Sequence, residues 1–467
     1  MDTLRAIGLP ADEVQAWHSA RLAFAPPGKA SDASLAGDAD ALRAHVERGE
    51  ALVGRLPDGP ARTAEERAAA RDVREALRLA RLTFLRSYAG IVYAELTGDF
   101  ERGLRVDELC YAAADRYPGL VPTRAAVLAE RRYAQMDKDA GVELDQGIFL
   151  SKVFDHPRAG AHLIHAMRRP SPAAVERLAD FRARGEADLG VAHVARQGKA
   201  GVVELRNLRY LNAEDDAAVA ALETAVDLVL LDPDLEVGVL RGGVVDHPKH
   251  AGRRIFQAGA NLTHLYYGQI GLVEFFAARE LGYINKMYRG LTGPDFIPDE
   301  AETSDEKPWI AAVEAFAIGG GCQITLVCDR VLCEEDAYFS LPARKEGFVP
   351  GAANLRLAAI AGERMARQAI LFDRAFDARQ AEAAGLCDVV VPRGQMDAAL
   401  ARAVHEATEG GAVAVGAQRK ALRVGAESID TFRRYMALYV REQALCMYSD
   451  GLIANLQTYW NAQNRVL

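Results

Sequence analysis

The sequence is poor in aromatic residues and in cysteine. Phe, Tyr and Trp make up 7% of its 467 residues, and its six cysteines include no CxxC pair. No apolar run approaches the 18 residues of a membrane-spanning helix, and the N-terminus lacks the charged-then-apolar pattern of a signal peptide. We therefore expect no membrane partner, and a cytoplasmic protein whose cysteines are free thiols.

Basic residues are also in the minority. Lys and Arg number 56 against 65 Asp and Glu, a formal net charge of −9. This sign argues against a general nucleic-acid binder, although it permits a local basic patch for a phosphorylated ligand. One such basic island runs from His247 to Arg254. It suits phosphate groups, and a solvated surface loop is the alternative interpretation.

Several common catalytic motifs are missing. The chain has no GxxxxGK[ST], GxSxG or HExxH, and no GxGxxG that opens a βα unit, which disfavours an ATPase, an α/β-hydrolase, a zincin and a nicotinamide dehydrogenase. Cys322, Cys328 and Cys333 have spacings and apolar neighbours that do not suit zinc. We therefore predict no metal site.

The pattern of apolar residues along the sequence divides it into three regions. Residues 1–200 have the stripes and proline punctuation of a helical domain, including a capping box at Thr63 and Glu66. Residues 201–395 alternate short apolar runs with helical segments, which predicts an α/β core with a largely parallel sheet. Residues 396–467 return to helical periodicity, as expected of a C-terminal helical and oligomerisation region.

Two glycine-containing loops in the α/β core are candidates for binding an oxyanion. Ile318-Gly319-Gly320-Gly321-Cys322-Gln323 follows a predicted strand and opens a helix, and Phe256–Leu262 has the same setting upstream. Exposed backbone N–H groups at such positions stabilise negative charge on a carbonyl oxygen. A tight turn between strand and helix is the alternative for a single GGG, but two such loops supply the two donors that an oxyanion hole needs.

These loops belong to an ordered series of motifs. Leu211-Asn212-Ala213, Ala258-Gly259-Ala260-Asn261-Leu262, Gly319–Cys322, Phe339–Ala343 with Pro350-Gly351, and Ala378–Pro392 resemble the crotonase (enoyl-CoA hydratase/isomerase) superfamily. The resemblance implies a crotonase-like ββα superhelix core that binds an acyl-CoA, with the N–H groups of Ala260 and Gly320 as oxyanion donors. It also implies a homo-oligomer, either a trimer or a dimer of trimers.

The departures from the family pattern bear on the reaction. Gln323 and Ala343 stand where the family's hydratases carry acid–base glutamates, so hydration of an enoyl-CoA is not expected. Three features together, the N-terminal helical extension, the stretch 245–250 and Gln323, make the chain resemble one branch of the superfamily. The members of that branch are cofactor-independent dioxygenases that act on dihydroxyphenylacetyl-CoA in antibiotic biosynthesis. That resemblance implies O2 as co-substrate, no cofactor, and an arylglyoxylate and CoA as products.

Other functions stay open at this point. One alternative is another acyl-CoA enzyme of the superfamily, such as an isomerase, decarboxylase or thioesterase. The other is a non-catalytic acyl-CoA-binding protein, which the absence of both hydratase glutamates would support.

Some candidate residues have two interpretations. Glu214 follows the first motif and is either a partner for a phenolic hydroxyl or an acid at a helix N-terminus. Arg279 lies in an apolar helical segment whose face the periodicity does not fix, and it binds substrate or forms an ion pair. The expected catalytic residues are Ala260, Gly320 and Gln323; the expected substrate-binding residues are Arg209, Glu214, His247, Pro248, Lys249, His250, Ala258, Gly259, Asn261, Leu262, Thr263 and Arg279.

Overall fold

A computed structural model describes Leu4 and residues 7–19, 22–296 and 304–467. Up to Arg184 the described chain is built of helices, as predicted. In chain order they are α1 Ala11–Ser19, α2 Asp32–Val53, α3 Ala64–Thr97, α4 Val106–Arg116, α5 Arg124–Glu130, α6 Val142–Asp155, α7 Pro157–Met167 and α8 Pro172–Arg184.

The longest of these helices starts where the sequence predicts. The Thr63 N–H donates to Glu66 Oε2 at 2.8 Å and the Glu66 N–H donates to Thr63 Oγ1 at 3.2 Å, which confirms the capping box of α3. Its apolar stripe, including Leu77 and Phe84, is fully buried. These side chains belong to a hydrophobic core that continues into the α/β region, so the helical region packs directly on the rest of the molecule.

The α/β region contains two sheets. The larger has the order β1-β2-β3-β4-β5-β7-β10 and is parallel from β3 onwards, and the smaller has the order β6-β8-β9. The strands are β1 Glu186–Asp188, β2 Ala192–Gln197, β3 Ala200–Leu205, β4 Val237–Gly242, β5 Trp309–Val313, β6 Phe316–Ile318, β7 Arg330–Glu334, β8 Tyr338–Ser340, β9 Phe376–Asp377 and β10 Val389–Val391.

Helices connect and cover these sheets. They are α9 Asp216–Leu231, α10 Leu262–Tyr266, a π-helical turn Leu272–Ala277, α11 Ala278–Leu281, α12 Tyr283–Arg289, α13 Gly320–Thr325, α14 Ala343–Glu346, α15 Ala353–Ala361, α16 Glu363–Phe372, α17 Ala378–Ala383, α18 Met396–Glu409, α19 Ala412–Ala426, α20 Ile429–Met447 and α21 Asp450–Trp460. The α/β class with helical flanks on both sides is confirmed.

The structure departs from the sequence prediction in two places. The larger sheet begins at Glu186, before the expected boundary at residue 201. Strand β1 pairs antiparallel with β2 and β2 pairs antiparallel with β3, and neither short strand has the long apolar run that would have announced it. The apolar run 309–318 is two strands in different sheets, β5 and β6. Between them Glu314 leaves the strand to pair with Arg241 at 2.6 Å.

One buried carboxylate connects the three regions of the chain. Glu143 on α6 accepts a hydrogen bond from Lys138 Nζ at 3.0 Å and another from the Leu272 N–H at 2.8 Å. Tyr448, after α20, donates to the same carboxylate at 3.2 Å. The N-terminal helices, the segment 272–289 and the C-terminal helices therefore share one fully buried polar contact.

No helix in the described part of the chain has the length and apolar character needed to cross a bilayer.

The shared contact predicts a large effect of Lys138→Ala on stability. The Lys138 and Glu143 side chains are 0% and 1% exposed, so the substitution leaves a buried carboxylate without its cation. We expect the free energy of unfolding in urea to fall by about 3–5 kcal/mol. Arg184→Ala, which removes an exposed ion pair with Asp180, is the control and should cost less than about 1 kcal/mol. If both variants lost the same free energy of unfolding, the stabilising role of the buried Lys138–Glu143 pair would be contradicted.

Candidate active site

Two glycine-containing loops meet at the edge of the smaller sheet. The first, residues 257–261, runs parallel to β6, and the second begins at Gly319, whose φ of 52° lies in the left-handed region that glycine tolerates. A methyl group on Gly259 would lie 3.1 Å from the Ile318 carbonyl oxygen and 3.4 Å from the Gly320 nitrogen. The loops are packed backbone against backbone, and only residues without side chains permit this approach.

Two backbone N–H groups are left unbonded where the loops meet. The Glu214 N–H donates to the Gly259 carbonyl at 2.8 Å, and the Asn261 N–H donates to the Glu214 carbonyl at 2.7 Å. Glu214 therefore bonds to the two neighbours of Ala260, and the Ala260 N–H itself has no acceptor in this pairing. Gly320 is the first residue of α13, so its N–H has no acceptor within the helix. Among the described residues neither group donates a hydrogen bond. Both are free to receive an oxyanion.

Arg279 is the centre of a buried cluster beside these loops. Its Nε donates to Glu214 Oε2 at 2.8 Å, and its Nη2 donates to the Gly320 carbonyl at 2.9 Å. Nη1 donates to Glu280 Oε1 at 2.8 Å and to Gln323 Oε1 at 2.6 Å. All five residues are buried. The Arg279 guanidinium therefore contacts three parts of the site. These are Glu214, which pairs with the first loop, the Gly320 carbonyl of the second loop, and the side chain of Gln323 on α13.

A local irregularity in the helix determines where Arg279 projects. The helical segment that carries Arg279 contains the π turn Leu272–Ala277 and is interrupted at Gly282. A π turn adds a residue to the helical repeat and changes which face the following side chains occupy. Regular periodicity could not, for this reason, establish the face of Arg279.

The charges in this cluster are held by their mutual pairing. Burial opposes the ionised guanidinium, but Glu214 and its neighbours outweigh that effect and keep the pKa of Arg279 above its ordinary value. Tyr283 donates its hydroxyl to Glu214, and burial raises the pKa of this tyrosine well above its usual range. At neutral pH the cluster therefore contains a permanent cation and a neutral phenol donor.

A small cavity lies against the two free N–H groups. Its volume is about 20 Å³, which accommodates about one water molecule. The polar part of the wall is the Arg279 cluster, and the opposite part is apolar. The lining residues are Glu214, Ala260, Phe275, Phe276, Arg279, Glu280, Gly320, Gln323, Phe348, Val349, Gly351 and Tyr439.

A larger cleft reaches Ala260 from the other side. Its volume is about 600 Å³, and its residues include many of those predicted to bind substrate. Among these are Arg209, His247, His250, Ala258, Asn261, Leu262 and Thr263. Pro248 and Lys249 are exposed and do not line the cleft, and Gly259 is a buried residue of the first loop. Ala260 thus lines both the larger cleft and the small cavity.

The C-terminal segment forms one wall of this cleft. Trp460 at the end of α21 donates from Nε1 to Thr263 Oγ1 at 3.4 Å, and the Arg465 guanidinium lies 3.8 Å from the centre of the Trp460 ring. Arg209 donates to the backbone oxygen of Leu467 at 2.9 Å. Sequence reasoning did not assign Trp460 and Arg465 to the site, because only tertiary contacts bring them to the first loop.

Glu346 is a further site residue that the sequence did not single out. It ends α14, lines the cleft, and is 8% exposed. A methyl group on Gly319 would lie 3.6 and 3.7 Å from its two carboxylate oxygens. Burial, with a smaller effect of the nearby Asp373, raises the pKa of Glu346 to about 7. The available signal was an acidic residue one helical turn after Ala343.

The described residues were also searched for metal ligands. They contain no group of three or more His, Cys, Asp or Glu side chains arranged to hold a metal ion. All six cysteines are free; Cys322 and Cys333 are buried and Cys328 is half-buried.

Comparison with known proteins gives matches over the core and over most of the chain. The profile of the enoyl-CoA hydratase/isomerase family matches residues 299–444. A (3,5-dihydroxyphenyl)acetyl-CoA 1,2-dioxygenase of Amycolatopsis orientalis is 46% identical over 90% of this chain and 95% of its own length. A probable enoyl-CoA hydratase of Rhizobium meliloti is 31% identical over 45% of this chain and 72% of its own length.

Solved structures resemble the core region. The crystal structure of an enoyl-CoA hydratase from Bacillus halodurans is 18% identical, with a TM-score of 0.49, over 57% of this chain and 99% of that one.

The close packing around the second loop predicts that Gly320→Ala disturbs the site. The added methyl group would lie 2.9 Å from both Arg279 Nη2 and Glu214 Oε2, and these atoms are held by their ion pair. We expect a loss of about 1–3 kcal/mol in the free energy of unfolding. Gly425→Ala, on α19 with open space around it, is the control and should be neutral or slightly stabilising in thermal denaturation. A neutral Gly320→Ala would refute the packing argument.

Proposed function

The chain belongs to the enoyl-CoA hydratase/isomerase (crotonase) superfamily, and from this premise we propose that it is a dioxygenase. It converts (3,5-dihydroxyphenyl)acetyl-CoA and O2 to 3,5-dihydroxyphenylglyoxylate and CoA. Support comes from the 46% identity to the Amycolatopsis orientalis dioxygenase, which extends through the helical flanks. The observation that carries the proposal is the pair of free N–H groups, Ala260 and Gly320, beside the Arg279 cluster.

The pair of N–H groups suits an enolate. When a base removes a proton from the α-carbon of a thioester, negative charge develops on the carbonyl oxygen, and two preorganised backbone donors stabilise it. The α-carbon of an arylacetyl thioester is benzylic, so the ring delocalises the same charge. Gln323 and Ala343 carry no carboxylate at the hydratase positions, which leaves enolate formation as the step that the loops support.

The enolate itself is the reductant for O2. A carbon–oxygen bond forms at the α-carbon, and the resulting peroxide anion attacks the thioester carbonyl and expels the CoA thiolate. The O–O bond then breaks as the second α-hydrogen leaves as a proton, giving the ketone and the carboxylate of the arylglyoxylate. Both oxygen atoms of O2 enter the organic product, and the electrons come from the substrate. We therefore propose that the enzyme needs neither a metal nor an organic cofactor.

The Arg279 cluster is the proposed site for the dihydroxyphenyl ring. Glu214 accepts and Arg279 donates hydrogen bonds at the wall of the small cavity, and both suit phenolic hydroxyl groups. The amide of Gln323 orients the ring next to them. A phenyl ring is several times larger than the 20 Å³ cavity, so Phe348 and Val349 on the apolar wall must move when the ring enters.

The 600 Å³ cleft is the proposed site for the CoA chain. It ends at Ala260, where the thioester carbonyl would meet the N–H groups. Arg209 and Lys345 supply positive charge within the cleft, His247 and His250 supply ring nitrogens for hydrogen bonds, and Arg465 lies on its C-terminal wall. Lys249 stands at the rim within reach of a phosphate. Local positive charge of this kind suits the phosphates of CoA in a protein whose net charge is −9.

We further propose a cytoplasmic homo-oligomer, either a trimer or a dimer of trimers. Support for an oligomer comes from exposed apolar side chains on helices of the C-terminal half. Phe372 is 75% exposed, Val413 88% and Leu422 75%, which is typical of surfaces that subunits cover. The free cysteines are consistent with a reducing compartment.

The proposed reaction predicts O2 consumption that matches product formation. With (3,5-dihydroxyphenyl)acetyl-CoA we expect one O2 taken up per free CoA released, measured with an oxygen electrode and a thiol assay. With ¹⁸O2, mass spectrometry should find two labelled oxygen atoms in the arylglyoxylate. Turnover should continue after chelation and dialysis and should stop under anaerobic conditions.

The same assay separates the alternatives. A thioesterase releases CoA without O2, and an isomerase or hydratase changes crotonyl-CoA without consuming O2. A non-catalytic binder retains arylacetyl-CoA without turnover. Any of these results, or activity that chelation abolishes, would contradict the proposed function.

The rim position predicts that Lys249→Ala weakens binding without slowing chemistry. A phosphate contact is the same in the ground state and the transition state, so KM should rise about 3- to 10-fold with kcat unchanged. Lys199→Ala is the control, because Lys199 precedes β3 at the end of the strand remote from the cleft and pairs with Glu236. Steady-state kinetics at two ionic strengths measure both variants. An unchanged KM for Lys249→Ala would remove this residue from the CoA site.

A further inference from the structure

The structure provides a carboxylate near the position where the family's hydratases carry one. Ala343 occupies the hydratase position, and Glu346 lies on the next turn of the same short helix. Residues three apart in a helix share a face, so the two side chains project in similar directions. A methyl group on Gly319, the residue that precedes the proposed oxyanion donor Gly320, would lie 3.6 and 3.7 Å from the two Glu346 oxygens. A carboxylate therefore stands beside the thioester end of the proposed CoA cleft.

Glu346 differs from the other carboxylates of the site in its partners. Glu214 and Glu280 both pair with Arg279 at 2.8 Å, so the guanidinium already occupies an oxygen of each carboxylate. In the described part of the structure the Glu346 side chain has neither a salt bridge nor a hydrogen bond. Its charged neighbour Asp373 pairs with Arg344. Glu346 is the buried carboxylate of this site that remains free to accept a proton.

The pKa of Glu346 suits a residue that accepts a proton at neutral pH. Because burial disfavours the charged form, the pKa of Glu346 rises to about 7, where the carboxylate is partly ionised at neutral pH and is a stronger base than an exposed glutamate. A base whose pKa is near the working pH combines availability with basicity. Geometry and ionisation therefore point to the same residue.

We propose that Glu346 is the general acid–base residue of the dioxygenase reaction, an inference that rests on the proposed function. Its carboxylate accepts the first proton from the α-carbon as the enolate forms on Ala260 and Gly320. After the peroxide expels CoA, the carboxylic acid returns that proton to the thiolate sulfur and becomes a carboxylate again. It then accepts the second α-proton as the O–O bond breaks, and releases it to solvent along the cleft.

The first proton transfer is measurable without O2. Under anaerobic conditions in D2O the wild-type protein should exchange the α-hydrogens of (3,5-dihydroxyphenyl)acetyl-CoA for deuterium, detected by mass spectrometry. Glu346→Gln should lower the exchange rate about 100-fold or more, the usual contribution of a general base. Glu346→Asp, which keeps the carboxylate, should recover part of the rate. Glu363→Gln, on the exposed start of α16, is the matched control and should exchange at the wild-type rate.

The pH dependence gives a second readout. In the wild-type protein the exchange rate at subsaturating substrate should rise with pH and level off above about pH 7, and this rise should be absent from Glu346→Gln. Folding is checked separately. A carboxyl whose folded pKa exceeds its unfolded value of 4.5 loses stabilisation as pH rises through that interval. Glu346→Gln should therefore have a Tm at pH 8 no lower than that of the wild type.

The outcomes separate the two proposals. If the wild type exchanges and consumes O2 while Glu346→Gln exchanges equally fast, Glu346 is not the base and the dioxygenase function stands. If the wild type neither exchanges nor consumes O2, the proposed function fails and the role of Glu346 fails with it. If a folded Glu346→Gln protein binds substrate but has lost both exchange and turnover, the inference is supported.

Discussion

The site depends on the pairing of one buried cation. An arginine and two glutamates away from water are costly unless each has partners, and Arg279 satisfies Glu214, Glu280 and the Gly320 carbonyl at once. Glu214 is also joined through its backbone to the first loop. Because these charges must stay together, they hold the two loops in register and fix the positions of the free N–H groups that we propose to stabilise the enolate.

The helical flanks extend this constraint outward. Glu143 on α6 accepts the N–H of Leu272, the first residue of the π turn that leads to Arg279, and Tyr448 reaches the same carboxylate from the C-terminal region. The flanks therefore determine where the arginine-bearing segment starts and, through α21, one wall of the cleft. The sequence similarity to the dioxygenase extends into the flanks, whereas the match to an enoyl-CoA hydratase covers 45% of the chain. The contacts of the flanks with the site give a physical reason for this difference.

Local sequence signals predicted the parts of the fold and site that local chemistry determines. Gly259 and Gly319 both have a positive φ that favours glycine, and Gly259 also lies closely against the second loop, so both loops were visible in the sequence. The capping box of α3 was visible because it too depends on local residues. What depends on distant contacts was not predictable. The face of Arg279 follows from a π turn, and Trp460 reaches Thr263 only through tertiary packing. Strand β2 is stabilised by pairing with β3, and β1 by pairing with β2, and neither has a long apolar run of its own.

The distribution of carboxylates explains how the site can lack both hydratase glutamates and still form an enolate. Hydration of a double bond needs an acid and a base placed on either side of a water molecule, whereas oxygenation of an enolate needs one base and a stabilised oxyanion. Glutamine at 323 accepts from Arg279 without adding a third negative charge to the cluster of Glu214 and Glu280. The remaining carboxylate, Glu346, lies on the CoA side of the loops, separated from that cation. Paired carboxylates would then bind the ring, and the unpaired one would move the protons.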